Sequence, residues 1–294
     1  MRYDITLRMS HEYERPANAG RHLLRLLPLD VPGEQRVEVG HLAATPAPHE
    51  RQDGTDFFGN RTTELYYRDQ HRRLDFTVRA RVSRLAAPPV LDMSPALPRL
   101  HEEIAATRTL SPCSPVHFLA DSPRIRRSDE ITAYARGVLQ AGMSVHAIVT
   151  ALGERIHEDF TYDGEATEVD TPPQQAFAQR RGVCQDFAQV MIAGLRGIGV
   201  PAAYVSGFLR TIPPPGRERL EGADAMHAWV RAWCGDELGW VEYDPTNALA
   251  VAADHIVVAR GRDYGDAAPV KGTMRIAGGQ EVSQAVDVLP LPES

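Results

Sequence analysis

The spacing of apolar residues changes period along the chain, and the changes divide it into parts. From Arg2 to Met9 the chain alternates, with Tyr3, Ile5, Leu7 and Met9 set against Asp4, Thr6 and Arg8. That two-residue period predicts a strand. The run HLLRLLPL follows an expected turn at Asn18–Gly20, and RVEVGHL alternates again. A polar, turn-rich break through TPAPHERQDGTDFFGN precedes two further strand candidates at 62–67 and 74–82. Short strands with turn residues between them predict a small antiparallel sandwich or sheet over residues 1–85.

Residues 86–123 are rich in proline and irregular, and read as a linker that wraps the molecule through Leu91, Met93, Leu97, Leu100, Phe118 and Leu119. Helical periodicity begins after it. Ser128 or Asp129 can cap a helix running to about Gln140. Ser144 can cap another to about Asp159, with Val145, Ile148, Val149, Leu152 and Ile156 on one face. A short helix with proline at its start is expected at 171–179. The stretch RRGVCQDFAQVMIAGLRGIGVP then carries an apolar stripe at Phe187, Val190, Met191, Leu195 and Ile198. It predicts a helix with Cys184 in its first turn, closed by Gly197 and Gly199. Strands follow at 202–209, 225–233 and 240–244, and candidates at 255–260, 273–277 and 282–289 are expected to complete the same sheet. Residues 124–294 thus read as an α+β domain behind a small all-β domain.

Composition narrows the class of protein. The 294 residues are 43% hydrophobic and 24% charged, as in ordinary soluble domains. A net charge of -7 argues against nucleic acid as a partner, because phosphate binding needs a basic face. Cys113, Cys184 and Cys234 are too few and scattered for a disulfide framework or a zinc site of paired spacing. The first residues lack the apolar core of a secretory signal, and no run of about 18 apolar residues occurs. The expectation is a cytoplasmic protein with no membrane partner.

The chemistry centres on Cys184. A thiol at a helix start faces unpaired backbone N–H groups and the positive end of the helix dipole, and both favour the thiolate. The turn CysGlyAspGluLeuGly at 234–239 should join the strands at 225–233 and 240–244 as an antiparallel hairpin. If paired positions sum to an odd number, His227 and Asp244 share a face, with Cβ atoms about 4.5–8 Å apart. Each residue alone has a plainer reading: a free cysteine is more often a small buried hydrophobe, and a strand histidine is more often satisfied packing. An aspartate before proline can simply start a turn. Together they make a nucleophile set, in which His227 moves protons for Cys184 and Asp244 orients the ring. The Cys184 N–H would supply one oxyanion donor.

The segments GVCQDFA, HAWV and EYDPTN, in this order and spacing, resemble the transglutaminase-like superfamily of cysteine enzymes. YDITLRMSHEYERP, LRLLPL, DFFGN and GRDYGD look like its bacterial branch, which carries an N-terminal β domain, so the resemblance covers nearly the whole chain. It implies a papain-like α+β core with Cys184 as nucleophile, His227 as base and Asp244 as orienting acid. The three residues together describe acyl transfer through a thioester on peptide or side-chain amides of a peptide or protein substrate, and no cofactor is expected. Hydrolysis is favoured over protein-glutamine cross-linking, and a binding or scaffold protein with a retired site is the other alternative. For the second oxyanion donor Gln174, Gln175, Gln179, Gln185 and Tyr162 are candidates, and Trp229 and Trp240 are candidates for the substrate wall. Neither a calcium loop of EF-hand type nor a metal site at Cys184, His227 and Asp244 is expected.

Overall fold

The computed structural model describes residues 1–85, 91–211, 222 and 224–292. Residues 86–90 of the expected linker, and most of the proline and charge loop after Thr211, lie outside them. The first strand is far longer than the alternation suggested. β1 runs unbroken over Arg2–Leu24, followed by β2 (Gln35–Thr45), β3 (Glu50–Thr55), β4 (Arg61–Tyr67) and β5 (His71–Arg84). Where a turn was expected, β1 changes face instead. Tyr3, Ile5, Leu7, Met9, His11 and Tyr13 are buried in its first half, and His22 and Leu24 in its second. The buried set is still odd at Ala17 and passes to even positions across a register shift between Asn18 and Arg21. An extra residue in one strand does this, because side chains alternate with period two.

The proline-rich segment does not stay irregular. It contains α1 (Leu97–Ala106), with proline in its first turn, where the missing N–H costs nothing. Leu100 and Phe118 are buried anchors as expected, whereas Leu91 and Met93 are exposed. Next come α2 (Asp129–Arg136), α3 (Val145–Asp159), β6 (Thr161–Tyr162), α4 (Pro173–Gln179), β7 (Arg181–Gly182) and α5 (Cys184–Gly197). Ser128 and Ser144 cap α2 and α3 by accepting the N–H groups of Ile131 and Ala147. α2 stops at Gly137, short of the expected Gln140. From Gln185 to Leu195 α5 is buried on all sides. It is the central helix of the core, packed against α2, α3 and α4 and against the strands that follow.

Those strands are β8 (Ala202–Leu209), β9 (Ala225–Trp233), β10 (Trp240–Asp244), β11 (Leu249–Ala250) and β12 (His255–Gly261). They form one antiparallel sheet in the order β11-β10-β9-β8-β12. After α6 (Tyr264–Ala267) come β13 (Val270–Arg275) and β14 (Gln280–Leu291), and they correct an expectation. They do not complete this sheet; both pair with β1 in the seven-stranded N-terminal sheet. Only β12, of the three late strands, joins the second sheet. No helix among the described residues is long and apolar enough to cross a membrane.

β12 is an edge strand, and its open backbone groups are met by amides of the β domain. Gln35, almost fully buried, donates to the carbonyls of Leu29 and Val257 at 2.7 and 2.8 Å and accepts from the Val257 N–H at 2.9 Å. Asn60 does the same for Arg260, with both bonds at 2.7 Å. Two side-chain amides therefore stand in for a neighbouring strand. Replacing Gln35 by leucine strands these buried groups, and we expect a loss of about 2–4 kcal/mol in urea unfolding. An unchanged midpoint would show that the edge tolerates exposure.

Candidate active site

Cys184 opens α5, and the loop before it is fixed by a carboxylate. Asp186 accepts the Val183 N–H at 2.8 Å and the Thr167 hydroxyl at 2.6 Å. A Cβ at position 182 would lie 2.4 Å from that Asp186 oxygen, and φ there is +153°, so glycine is required two residues before Cys184. Helix geometry leaves the Cys184 N–H without an acceptor within α5.

β9 and β10 pair as Trp233 with Trp240 through Val230 with Tyr243, an odd-sum register. His227 and Asp244 consequently share a face. The imidazole Nε2 lies 2.7 Å from Asp244 Oδ2. With Nε2 taken by the carboxylate, the other ring nitrogen is left for the sulfur, and Cys184 is near enough to favour the charged imidazole. Burial works against a charged imidazole here, but Asp244 and Cys184 outweigh it and push His227 up to about 10.

Asp244 is fully buried, which alone would favour its neutral form. Its partners reverse that and hold it well below the usual carboxylate range. Oδ2 receives His227, Asn247 Nδ2 at 2.7 Å and His255 Nε2 at 3.2 Å. Oδ1 receives the backbone N–H groups of Thr246 and Asn247 at 2.9 and 3.3 Å. Asn247 stands in the EYDPTN segment and was within reach of sequence reasoning. His255 was not, because it opens an otherwise apolar strand.

The two tryptophans are corrected. Trp229 is completely buried and walls no cleft. Its ring lies across Gly207, whose added Cβ would sit 2.4 Å from it, and touches His227 and His255. Its indole N–H donates to Glu242 at 2.8 Å. Trp240 is at the other end of β10 from Asp244, roughly 13 Å away along the strand. It packs on Phe118 and donates to the Cys113 carbonyl. Gln185 is turned to the Val169 carbonyl at 3.0 Å and Gln174 to that of Arg126 at 3.0 Å. Tyr162 is the candidate nearest the start of α5 in the backbone, paired with Gly182. It is 61% exposed, and its hydroxyl is pushed up by burial and then by nearby Cys184.

His227, Asp244 and His255 present ligand atoms within 4.8 Å of one another, a set a metal ion can use. Both imidazole Nε2 atoms are already bonded to the same carboxylate oxygen, so hydrogen bonding accounts for the cluster. Cys184 is outside this set.

A cysteine at a helix start, with an imidazole and a buried carboxylate on adjacent strands, stands in a papain-like α+β core. The chain belongs to the transglutaminase-like superfamily, whose core model matches residues 132–245, and the bacterial transglutaminase-like N-terminal region matches residues 3–83. An uncharacterized protein of Mycobacterium tuberculosis is 34% identical over 98% of this chain and 93% of its own length. A protein-glutamine gamma-glutamyltransferase of Pseudomonas aeruginosa is 36% identical over 40% of this chain and 18% of its own length. Among solved structures, a candidate cysteine protease from Cytophaga hutchinsonii matches 100% of this chain and 92% of that one, at 21% identity and a TM-score of 0.74.

Proposed function

We propose that this protein cleaves peptide or side-chain amides by acyl transfer through a thioester on Cys184. The observation that carries the reading is the imidazole of His227 held 2.7 Å from the buried Asp244 carboxylate, with Cys184 at the head of α5 near enough to act on that ring. The thiolate attacks the amide carbon, and the tetrahedral oxyanion is met by the Cys184 N–H at the start of α5. Imidazolium His227 gives its proton to the leaving nitrogen, the C–N bond breaks, and the amine departs. His227 then takes a proton from water as it attacks the thioester carbon, and collapse releases the acid and restores the thiolate. Exposed Tyr162, paired with Gly182 on the approach to Cys184, forms one wall of the entrance.

An amine in place of water would give transamidation, and the partial match to the Pseudomonas gamma-glutamyltransferase favours that second reading. The description of the Cytophaga relative favours hydrolysis. Incubation with a peptide-amide library, with and without a primary amine, separates them by product mass. Free acids in both arms support hydrolysis, and new amides only with added amine would replace it by transamidation. Neither product would leave the site without the proposed chemistry.

A further inference from the structure

We propose that His255 is a positioning residue, a second imidazole that locks the Asp244 carboxylate for His227 and through which the β domain supports the site. The inference rests on the thiol-enzyme reading above and extends it to a residue outside the Cys184, His227, Asp244 series.

The geometry is specific. His255 is 2% exposed, and its Nε2 lies 3.2 Å from the same Asp244 oxygen that holds His227. Its Nδ1 is buried without a partner among the described residues, so the ring proton belongs on Nε2, where it can be donated. Three donors on one oxygen, with two backbone N–H groups on the other, leave the carboxylate no rotational freedom. Removing His255 uncovers a buried lone pair and lets Asp244 turn.

The residue is itself held through its ring, its backbone and the strand that carries it. Trp229 meets the ring edge-on, at 5.2 Å between centroids and 79° between planes. Arg84, from β5, donates to the His255 carbonyl at 2.9 Å. The strand behind it is fastened by Gln35 and Asn60. The neighbouring Asp254 is bonded by Tyr3, from β1, and by Arg210. Four of these fastenings, from Arg84, Gln35, Asn60 and Tyr3, come from the β domain, which gives that domain a place in the site without contact to substrate. The groups facing the ring are therefore His227, Asp244 and Trp229, with Arg84 on its backbone.

The three cysteines make a test that needs no substrate. Cys113 is exposed, Cys184 half-buried and Cys234 buried with its thiol pushed up by burial. Iodoacetamide labelling, read site by site by mass, reports accessible thiol, active thiol and unfolding in turn. In the wild type Cys184 should label faster than Cys113 near neutral pH. If it does not, the thiol-enzyme reading itself fails. With that in hand, His255→Leu should slow Cys184 labelling about tenfold at about pH 6, where the thiolate depends on a steadied imidazolium. The two rates should approach each other at about pH 10, where the thiolate needs no such help. His255→Gln, which keeps an N–H donor near the Nε2 position, should restore the rate, and His255→Asn, too short to reach, should not. Equal rates at all pH values, slowing by the same factor throughout, or failure of glutamine to restore would overturn the inference. If the leucine variant exposes Cys234, the glutamine and asparagine pair decides: a fast glutamine variant with a slow asparagine one supports it, and equal rates sink it.

Discussion

Replacing Cys184 by alanine is expected to lower amide turnover by about four to six orders of magnitude, the size of effect seen when a covalent nucleophile is removed. The fold should hardly notice. The sulfur stands half-buried in the first turn of α5, and the loop before it is secured by Asp186 rather than by the thiol. We expect unfolding free energy within about 1 kcal/mol of the parent. Product formation by mass and a urea titration make the comparison. A variant that is stable and still turns over would end the thioester mechanism.

Asp244→Asn should be nearly as severe, at about a thousand- to ten-thousand-fold in kcat, because an amide offers N–H where several donors converge and favours the wrong tautomer of His227. The pH profile carries a sharper signature. In the parent, burial is outweighed by Asp244 and Cys184, and His227 holds its proton until about pH 10. The alkaline limb of kcat/KM should fall there, and it should move to lower pH in the variant. Stability follows the same two groups. His227 is raised, so its contribution is complete below its ordinary value of about 6.5 and fades as pH climbs through about 10. Asp244 is lowered, so its contribution is present above about 3.9 and is lost only as acid reaches its folded value. The urea midpoints of parent and variant should therefore differ most between about pH 4 and 6.5 and draw together in alkali. A difference that grows with pH would contradict the buried ion pair.

Much of the site was legible because local rules set it. The stripe from Phe187 to Ile198 placed Cys184 at the head of a helix, and strand parity put His227 and Asp244 on one face once the hairpin register was odd. Other features depend on tertiary partners that a period cannot name. The alternation of β14 marks a strand but not which sheet receives it. The bulge that turns β1 over lies between Asn18 and Arg21, where the sequence reads equally well as a turn. Trp229 and His255 look alike in a sequence whether they line a cleft or sit behind one. What decided their place was Gly207, which leaves room for the indole, and the amides that hold β12.

The pairing of the final strand with the first has a bearing on how the polypeptide is made. Arg2 through Tyr13 find one of their two flanking strands only when Gln280–Leu291 arrives, and Val286 and Val288 fill the interior beneath them. Until then a long, partly apolar ribbon stands with one side unsatisfied, a template on which other nascent chains can stack. Truncations that remove this strand will aggregate during expression, however little of the cysteine's own surroundings they disturb.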